Sequence, residues 1–236
     1  AIFLRERQEK NKQLDIKKNL LLAAGLLKDA SAGEKKILKV YEAVSSQIIN
    51  LETGDEASGF SLASFDQRKM ARDSKYNKTI DPKKDSAKIK FRSKFSVVYQ
   101  VKKNGKISML MLPVHGKGLW STLYGFIALD VDTRTVKGIG FYQHGETAGL
   151  GGEVDNPLWK KQWINKLVLD EKYQPIFKVN KGQVNPLDSF AQYKVDGLSG
   201  ATITSNGVTG LVQYWLGDDG FGPYLAKFRQ SQRERS

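Results

Sequence analysis

Phe95-Ser96-Val97-Val98-Tyr99-Gln100-Val101-Lys102-Lys103-Asn104-Gly105-Lys106-Ile107-Ser108-Met109-Leu110-Met111-Leu112 decides the fold class. Aromatic and β-branched residues fill Phe95 to Val101, and a second apolar run covers Ile107 to Leu112. Between them stands Asn104-Gly105, the pair that a two-residue type I′ turn demands because both of its central positions need positive φ. The stretch therefore predicts an antiparallel hairpin. A second hairpin follows, from Phe126-Ile127-Ala128-Leu129 through a polar turn at Asp132-Thr133 to a strand over Val136–Tyr142.

Helices flank the hairpins. Residues 2–27 are rich in helix formers, with Leu14, Leu20, Leu21, Ala24 and Leu27 at roughly helical spacing, and Gly25 ends or weakens the run. After Gly33, Ile37, Val40, Tyr41, Val44 and Ile48 follow an i, i+3, i+4, i+7 pattern and predict a second helix. Residues 66–94 are dense in Lys, Arg and Asp and read as a long exposed excursion, either a flexible loop or, as the preferred reading, simply a solvated surface segment. Downstream, Pro157-Leu158-Trp159 opens a predicted helix through about Leu167, and Pro175–Val179 predicts one more strand. The last predicted helix starts near Thr202, carries Val208, Leu211, Val212, Trp215 and Leu216 on one face, and stops at Gly217 and Gly220. Hairpins mixed with segregated helices, without strand–helix alternation, argue for an α+β fold: a hairpin-rich antiparallel sheet with packed helices. The chain divides into an N-terminal helical segment (1–60), the charged excursion (61–94) and the hairpin-rich domain (95–236).

Composition narrows the function. The 236 residues are 40% hydrophobic and 27% charged, the balance of a folded chain. There is no cysteine, which removes disulfides, thiol catalysis and iron–sulfur ligation together. The net charge of +13 points to an anionic partner, but the basic residues are scattered and no recognition helix or zinc-finger spacing uses them, so no nucleic acid is expected. His115 and His144 lack a ligand cluster, and no metal is expected. No apolar run reaches the roughly 18 to 20 residues of a membrane span. Ile2-Phe3-Leu4 ahead of a charged helix, with no initial Met, reads either as the stub of a removed apolar segment or as an ordinary frayed terminus.

Three stretches are candidates for chemistry. Asp196-Gly197-Leu198-Ser199-Gly200-Ala201-Thr202-Ile203-Thr204-Ser205 fills the turn before a helix with small and hydroxylated residues. Unpaired N–H groups and the helix dipole stabilise a phosphate there, although an ordinary N-cap has the same composition. His144-Gly145-Glu146-Thr147-Ala148-Gly149-Leu150-Gly151-Gly152-Glu153 lets backbone lie against a flat ligand, although composition alone favours a flexible surface loop. Gly116-Lys117-Gly118-Leu119-Trp120-Ser121 offers an indole for stacking, although such a Trp is more often a core residue. Helix geometry alone does not separate Thr202 from Thr204 as the hydroxyl of interest. Neither a Gly-x-Ser-x-Gly elbow nor a Walker motif is met.

Together with Leu112-Pro113-Val114-His115 and Tyr214-Trp215-Leu216-Gly217-Asp218-Asp219-Gly220-Phe221-Gly222-Pro223, these stretches resemble the C subunit of the sodium-translocating NADH:quinone oxidoreductase, over about residues 95–225. The flavin motif is shared with the G subunit of the related electron-transport complex, and a stand-alone flavin-binding module is a further alternative. Gly118-Leu119-Trp120 with Gly149-Leu150-Gly151-Gly152-Glu153 favours the C subunit. The resemblance implies an FMN-binding domain over 95–236, with FMN joined through its phosphate to Thr202 by a flavin transferase. It implies cofactor contacts at Ser199, Gly200, Ala201, Thr204, Ser205 and Gly207, with Trp120, Glu146, Thr147, Leu150 and Gly151 beside the ring. It implies a relay of electrons among the other subunits of a membrane redox complex, with no catalysis by the isolated chain. It further implies a single N-terminal membrane helix, missing from this chain, and a domain on the outer face of the bacterial cytoplasmic membrane. Ala148 departs from the proline expected in relatives, without loss of a functional group.

Overall fold

The structure is a computed structural model that describes residues 2–235. The first hairpin forms as read: β4 (Phe95–Lys103) and β5 (Lys106–Lys117) meet at Asn104 and Gly105, whose φ angles are 52° and 73°. β5 runs on past Leu112 to Lys117, carrying the chain to the first glycine-flanked motif. The second hairpin is β6 (Thr122–Asp130) with β7 (Val136–Gln143), and Thr133 takes φ 63° in its turn. With β1 (Val44–Asn50) at one edge, the full sheet is antiparallel in the order β1-β4-β5-β6-β7.

Side chains alternate across this sheet. Leu110, Leu112, Val114, Ile127 and Leu129 face the larger core with α5 (Thr202–Leu216) and α6 (Gly222–Glu234). Met111, Phe126 and Ala128 face a second core built with α1 (Ile2–Ala23) and α2 (Glu34–Tyr41). The fold is therefore α+β, with a sheet covered by helices on both faces. Gly25, at φ 71°, ends α1 in the left-handed conformation that suits a helix C-terminus. Ala1 and the Ile2 side chain lie outside the described residues, while Phe3 and Leu4 are exposed on α1.

Several sequence expectations are corrected. The second helix stops at Tyr41, and Val44 and Ile48 belong instead to β1 (Val44–Asn50), which pairs with β4 from Val44↔Val101 to Asn50↔Phe95. Val44 and Ile48 fit a helical face and a strand equally, and pairing with the sheet edge overrides local spacing. The charged segment 66–94 is folded rather than a free loop. Asp66 caps α3 (Gln67–Arg72) by accepting from the Lys69 N–H, and β2 (Asn77–Thr79) pairs with β3 (Phe91–Ser93). Ile80, Ala87, Arg92 and Ser93 are buried, because this segment covers α5 and the Ser86 hydroxyl donates to the Gly210 carbonyl at 2.8 Å. Asp219, in the turn after α5, receives Lys78 Nζ at 2.9 Å and lies 3.8 Å from the Arg92 guanidinium. The helix at Pro157 is a short α4 (Pro157–Lys161), and the strand before Val179 shrinks to β8 (Lys178–Val179), parallel to β9 (Lys194–Val195). α6 has no counterpart in the sequence reading.

α5 sets the site. Its buried face carries Val208, Leu211, Val212, Trp215 and Leu216, as the periodicity requires. Trp215 Nε1 donates to the His115 carbonyl at 2.7 Å, pinning the helix to β5. Gly207 permits the closest approach: a Cβ there would stand 2.3 Å from the Lys117 carbonyl oxygen. This contact brings the start of α5 against the end of β5, so two of the candidate motifs become neighbours.

Candidate functional site

The turn into α5 is held from both sides. Asp196 accepts the Val184 N–H at 2.8 Å and the Gln162 amide at 3.2 Å, while its own N–H donates to Gln162 Oε1 at 3.0 Å. The Ser205 hydroxyl accepts the Leu198 N–H at 3.0 Å, and Gly200 takes φ 67°. Ala201 occupies the N-cap position and supplies no capping side chain. Thr202 is thus the first helical residue and caps nothing. The N–H groups of Thr202, Ile203 and Thr204 have no acceptor among the described residues, which is the arrangement that attracts an anion.

Ser199 lies in the turn ahead of α5 and is exposed, and the three hydroxyls on the first turn of the helix itself differ sharply. Thr202 is exposed, and its hydroxyl makes no hydrogen bond among the described residues. Thr204 is 1% exposed and donates to Glu146 Oε2 at 2.6 Å. Ser205 is buried and committed to Leu198. Gly207 is buried against β5, while Ser199 and Gly200 are exposed and Ala201 is buried.

Glu146 joins all three motifs. Its Oε1 accepts the N–H groups of Trp120 and Ser121 and the Ser121 hydroxyl, each at 3.1 Å. Its Oε2 accepts the Leu119 N–H at 3.1 Å as well as the Thr204 hydroxyl. Burial pushes the Glu146 carboxyl up, but the Thr204 hydroxyl and the three backbone N–H groups outweigh it and hold the group below its ordinary 4.5. Glycine on either side makes room: a Cβ on Gly118 would stand 2.6 Å from Oε1, and one on Gly151 would stand 2.9 Å from Oε2. The sequence reading sets Glu146 beside a ligand ring, whereas its carboxylate is turned inward and spent on protein donors. His144 steadies the same loop, its Nδ1 accepting the Glu146 N–H at 3.2 Å and its Nε2 lying 2.7 Å from Asp155. His115 is a packing residue, stacked on Tyr124 and tilted against Trp215. Among the described residues no His, Cys, Asp or Glu cluster is arranged to hold a metal.

Outside this clasp lies an apolar rim. Trp120 is 71% exposed and Ile203 54% exposed, with Leu119 and Leu150 nearly half exposed. The Leu150 side chain reaches Gly200, lying 3.0 Å from where a Cβ would stand. Thr147 is exposed, and its carbonyl accepts the N–H groups of Leu150 and Gly152, closing the loop tightly. A free hydroxyl, three unpaired N–H groups and an apolar rim together fit a ligand with a phosphate at one end and a flat, partly apolar body at the other. The sequence reading missed Ser121 as a site residue and Ile203 as part of the rim; both sit within its quoted motifs. A cavity of about 940 Å³ opens on the other face of the sheet between α1 and α3, lined by Arg68, Tyr99, Phe126 and Tyr142 among others. It contains none of these groups.

Comparison with known proteins bears on this geometry. Residues 118–217 match the FMN-binding domain family, a span that includes Leu119, Trp120, Glu146, Leu150 and the start of α5. The C subunit of the Na(+)-translocating NADH-quinone reductase of Vibrio parahaemolyticus is 43% identical over 234 residues, covering 97% of this chain and 87% of that protein. The chain belongs to the C-subunit family of Na(+)-translocating NADH-quinone reductases. The member of this family from Pseudomonas aeruginosa is 41% identical, over 98% of this chain and 89% of its own. The crystal structure of Shewanella oneidensis NqrC superposes with a TM-score of 0.84 at 34% identity, covering 93% of this chain and 99% of that one. Membership in the C-subunit family resolves the sequence-level choice between the C and G subunits in favour of C.

Proposed function

We propose that this chain is an electron-carrying subunit of a sodium-pumping NADH–quinone reductase, and that it carries FMN as a phosphoester on Thr202. One observation carries the attachment point: of the hydroxyls on the first turn of α5, that of Thr202 is exposed and has no hydrogen bond among the described residues, and it stands beside three N–H groups likewise without an acceptor among them. FMN, when bound, supplies the capacity to take and pass electrons singly. The residues of the chain supply position. The helix start receives the phosphate, Gly200 leaves space for it, and Trp120, Leu119, Leu150 and Ile203 offer apolar contact to the ring. In this reading the chain is a relay and oxidises no NADH by itself.

The attachment needs a partner enzyme, a flavin transferase. Esterification by free FMN would have to expel water, which is unfavourable, so the donor in this reading is a flavin dinucleotide. The Thr202 oxygen forms a bond to the flavin-side phosphorus, the pyrophosphate bond breaks, a nucleoside monophosphate leaves, and the hydroxyl proton passes to a base of the transferase. The same reading includes anchorage at the bacterial cytoplasmic membrane, with this domain on the outer face beside the other subunits. Among the described residues no helix is long and apolar enough to cross a membrane. Protease access in intact spheroplasts tests the orientation.

Co-expression with a flavin transferase, intact mass and mapping of the peptide covering residues 196–213 test the central claim. The expected result is one flavin phosphate on Thr202 and none on the Thr202→Ala chain. An unchanged mass, or a labelled Thr202→Ala chain, overturns it.

A further inference from the structure

Three successive backbone N–H groups, those of Leu119, Trp120 and Ser121, converge with the hydroxyls of Ser121 and Thr204 on one small volume. Successive N–H groups of this kind form an anion-binding concavity. Among the described residues no Lys or Arg forms an ion pair with the carboxylate inside it, and the donors that stabilise its charge are neutral. The anion in the concavity is the chain's own Glu146 carboxylate, 8% exposed and fitted between Gly118 and Gly151.

A phosphoryl group asks for the same donors as a carboxylate. Thr204 belongs both to this concavity and to the helix start to which the flavin phosphate is assigned. It is two residues from Thr202 and chemically identical to it. We propose that Glu146 is a built-in occupant that denies this donor set, and the Thr204 hydroxyl, to a phosphate, so that Thr204 does not compete with Thr202 as the point of attachment. A carboxylate next to a hydroxyl also has the means to draw off its proton and activate it. Access decides against that role here. Thr204 is 1% exposed, so no phosphorus reaches its oxygen, and the Glu146 charge repels any phosphate that approaches.

The inference rests on the flavin reading of Thr202, and its test has one arm that does not. In the first arm, the unmodified chain and its Glu146→Ala variant are melted in chloride, formate and phosphate at equal ionic strength. Glu146→Ala is expected to melt several degrees lower in chloride and to recover at least half of the loss in formate or phosphate, with no such recovery for the original chain. Equal behaviour in all three salts overturns the anion concavity. If the alanine variant does not fold, Glu146→Asp, which retracts the carboxylate by one methylene, takes its place and is held to the same outcome.

In the second arm, the transferase is supplied. Thr202→Ala is expected to remain unlabelled, and Thr202→Ala/Glu146→Ala to acquire flavin on Thr204. A folded double variant without flavin on Thr204 overturns the protective role. If the original chain takes no flavin at all, the Thr202 reading is what has failed, and the salt experiment still judges the concavity separately.

Discussion

Replacing Thr204 by Val removes one hydrogen bond and leaves the shape of a buried, β-branched side chain almost unchanged. Glu146 accepts five hydrogen bonds and would keep four. The bond removed is the shortest of them, 2.6 Å, and runs from a hydroxyl to an ionised carboxylate. Bonds to charged groups contribute about 1.5–3 kcal/mol. In a chain of this size each kcal/mol shifts the melting temperature by roughly 2–4 °C, so Thr204→Val is expected to lower Tm by about 3–12 °C at pH 7. The sign with pH follows from the depressed folded-state carboxyl. The stabilisation is fully present above the unfolded value of 4.5 and is lost as pH falls through the lower folded value. The gap between the two proteins should therefore be full at pH 7 and narrow as pH drops below 4.5. Urea titrations of both proteins across that range measure it. A gap near zero at pH 7, or one that does not change with pH, refutes the account of the clasp.

Gly207→Ala sets a helix-propensity gain of about 1 kcal/mol against overpacking that costs about 1–3 kcal/mol. The added methyl would press on rigid backbone at Lys117, so the expected result is a net destabilisation of up to about 2 kcal/mol in chemical denaturation; an equal or greater stability contradicts the tight approach of α5 to β5. His115 is held neutral by burial and by the nearby Arg68 charge, its pKa drawn down to about 4. The unfolded chain therefore binds the extra proton first, and stability should fall as pH drops from 6.5 towards 4, with a flatter profile in His115→Phe. Trp120→Ala should change stability by less than about 0.5 kcal/mol, because the side chain is exposed. In the flavin-bearing protein the same variant should raise flavin fluorescence by removing a quenching indole, and unchanged fluorescence contradicts stacking.

Local features carried the sequence reading where chemistry is local. Asn104-Gly105 and the alternation around it specify the hairpin without help from the rest of the chain, and the apolar stripe of α5 does the same for the last large helix. Val44 and Ile48 mislead because a spacing of four at the end of a helical pattern also fits one face of a strand, and only the edge of β4 settles the matter. Arg92 looks like a surface charge until Asp219 is placed near it. α6 hides behind Gly222-Pro223, although Tyr224, Leu225 and Phe228 form its buried face. At the site, Thr202 stands out from its motif, whereas the inward turn of Glu146 is illegible: its partners lie 25 to 58 residues away along the chain.

That separation has a kinetic side. Contacts between distant segments form only after the intervening loops have closed, and they mark the slower steps of folding. The Glu146 clasp needs the β5–β6 junction, the loop after β7 and the start of α5 to arrive together. Before they do, Thr204 is as open to water as Thr202, and the first turn of α5 lacks the neighbour that holds it. One exposed hydroxyl among the three on the first turn of α5 is therefore a property of the completed fold, and a modifying enzyme that reads this arrangement inspects the finished product as it acts.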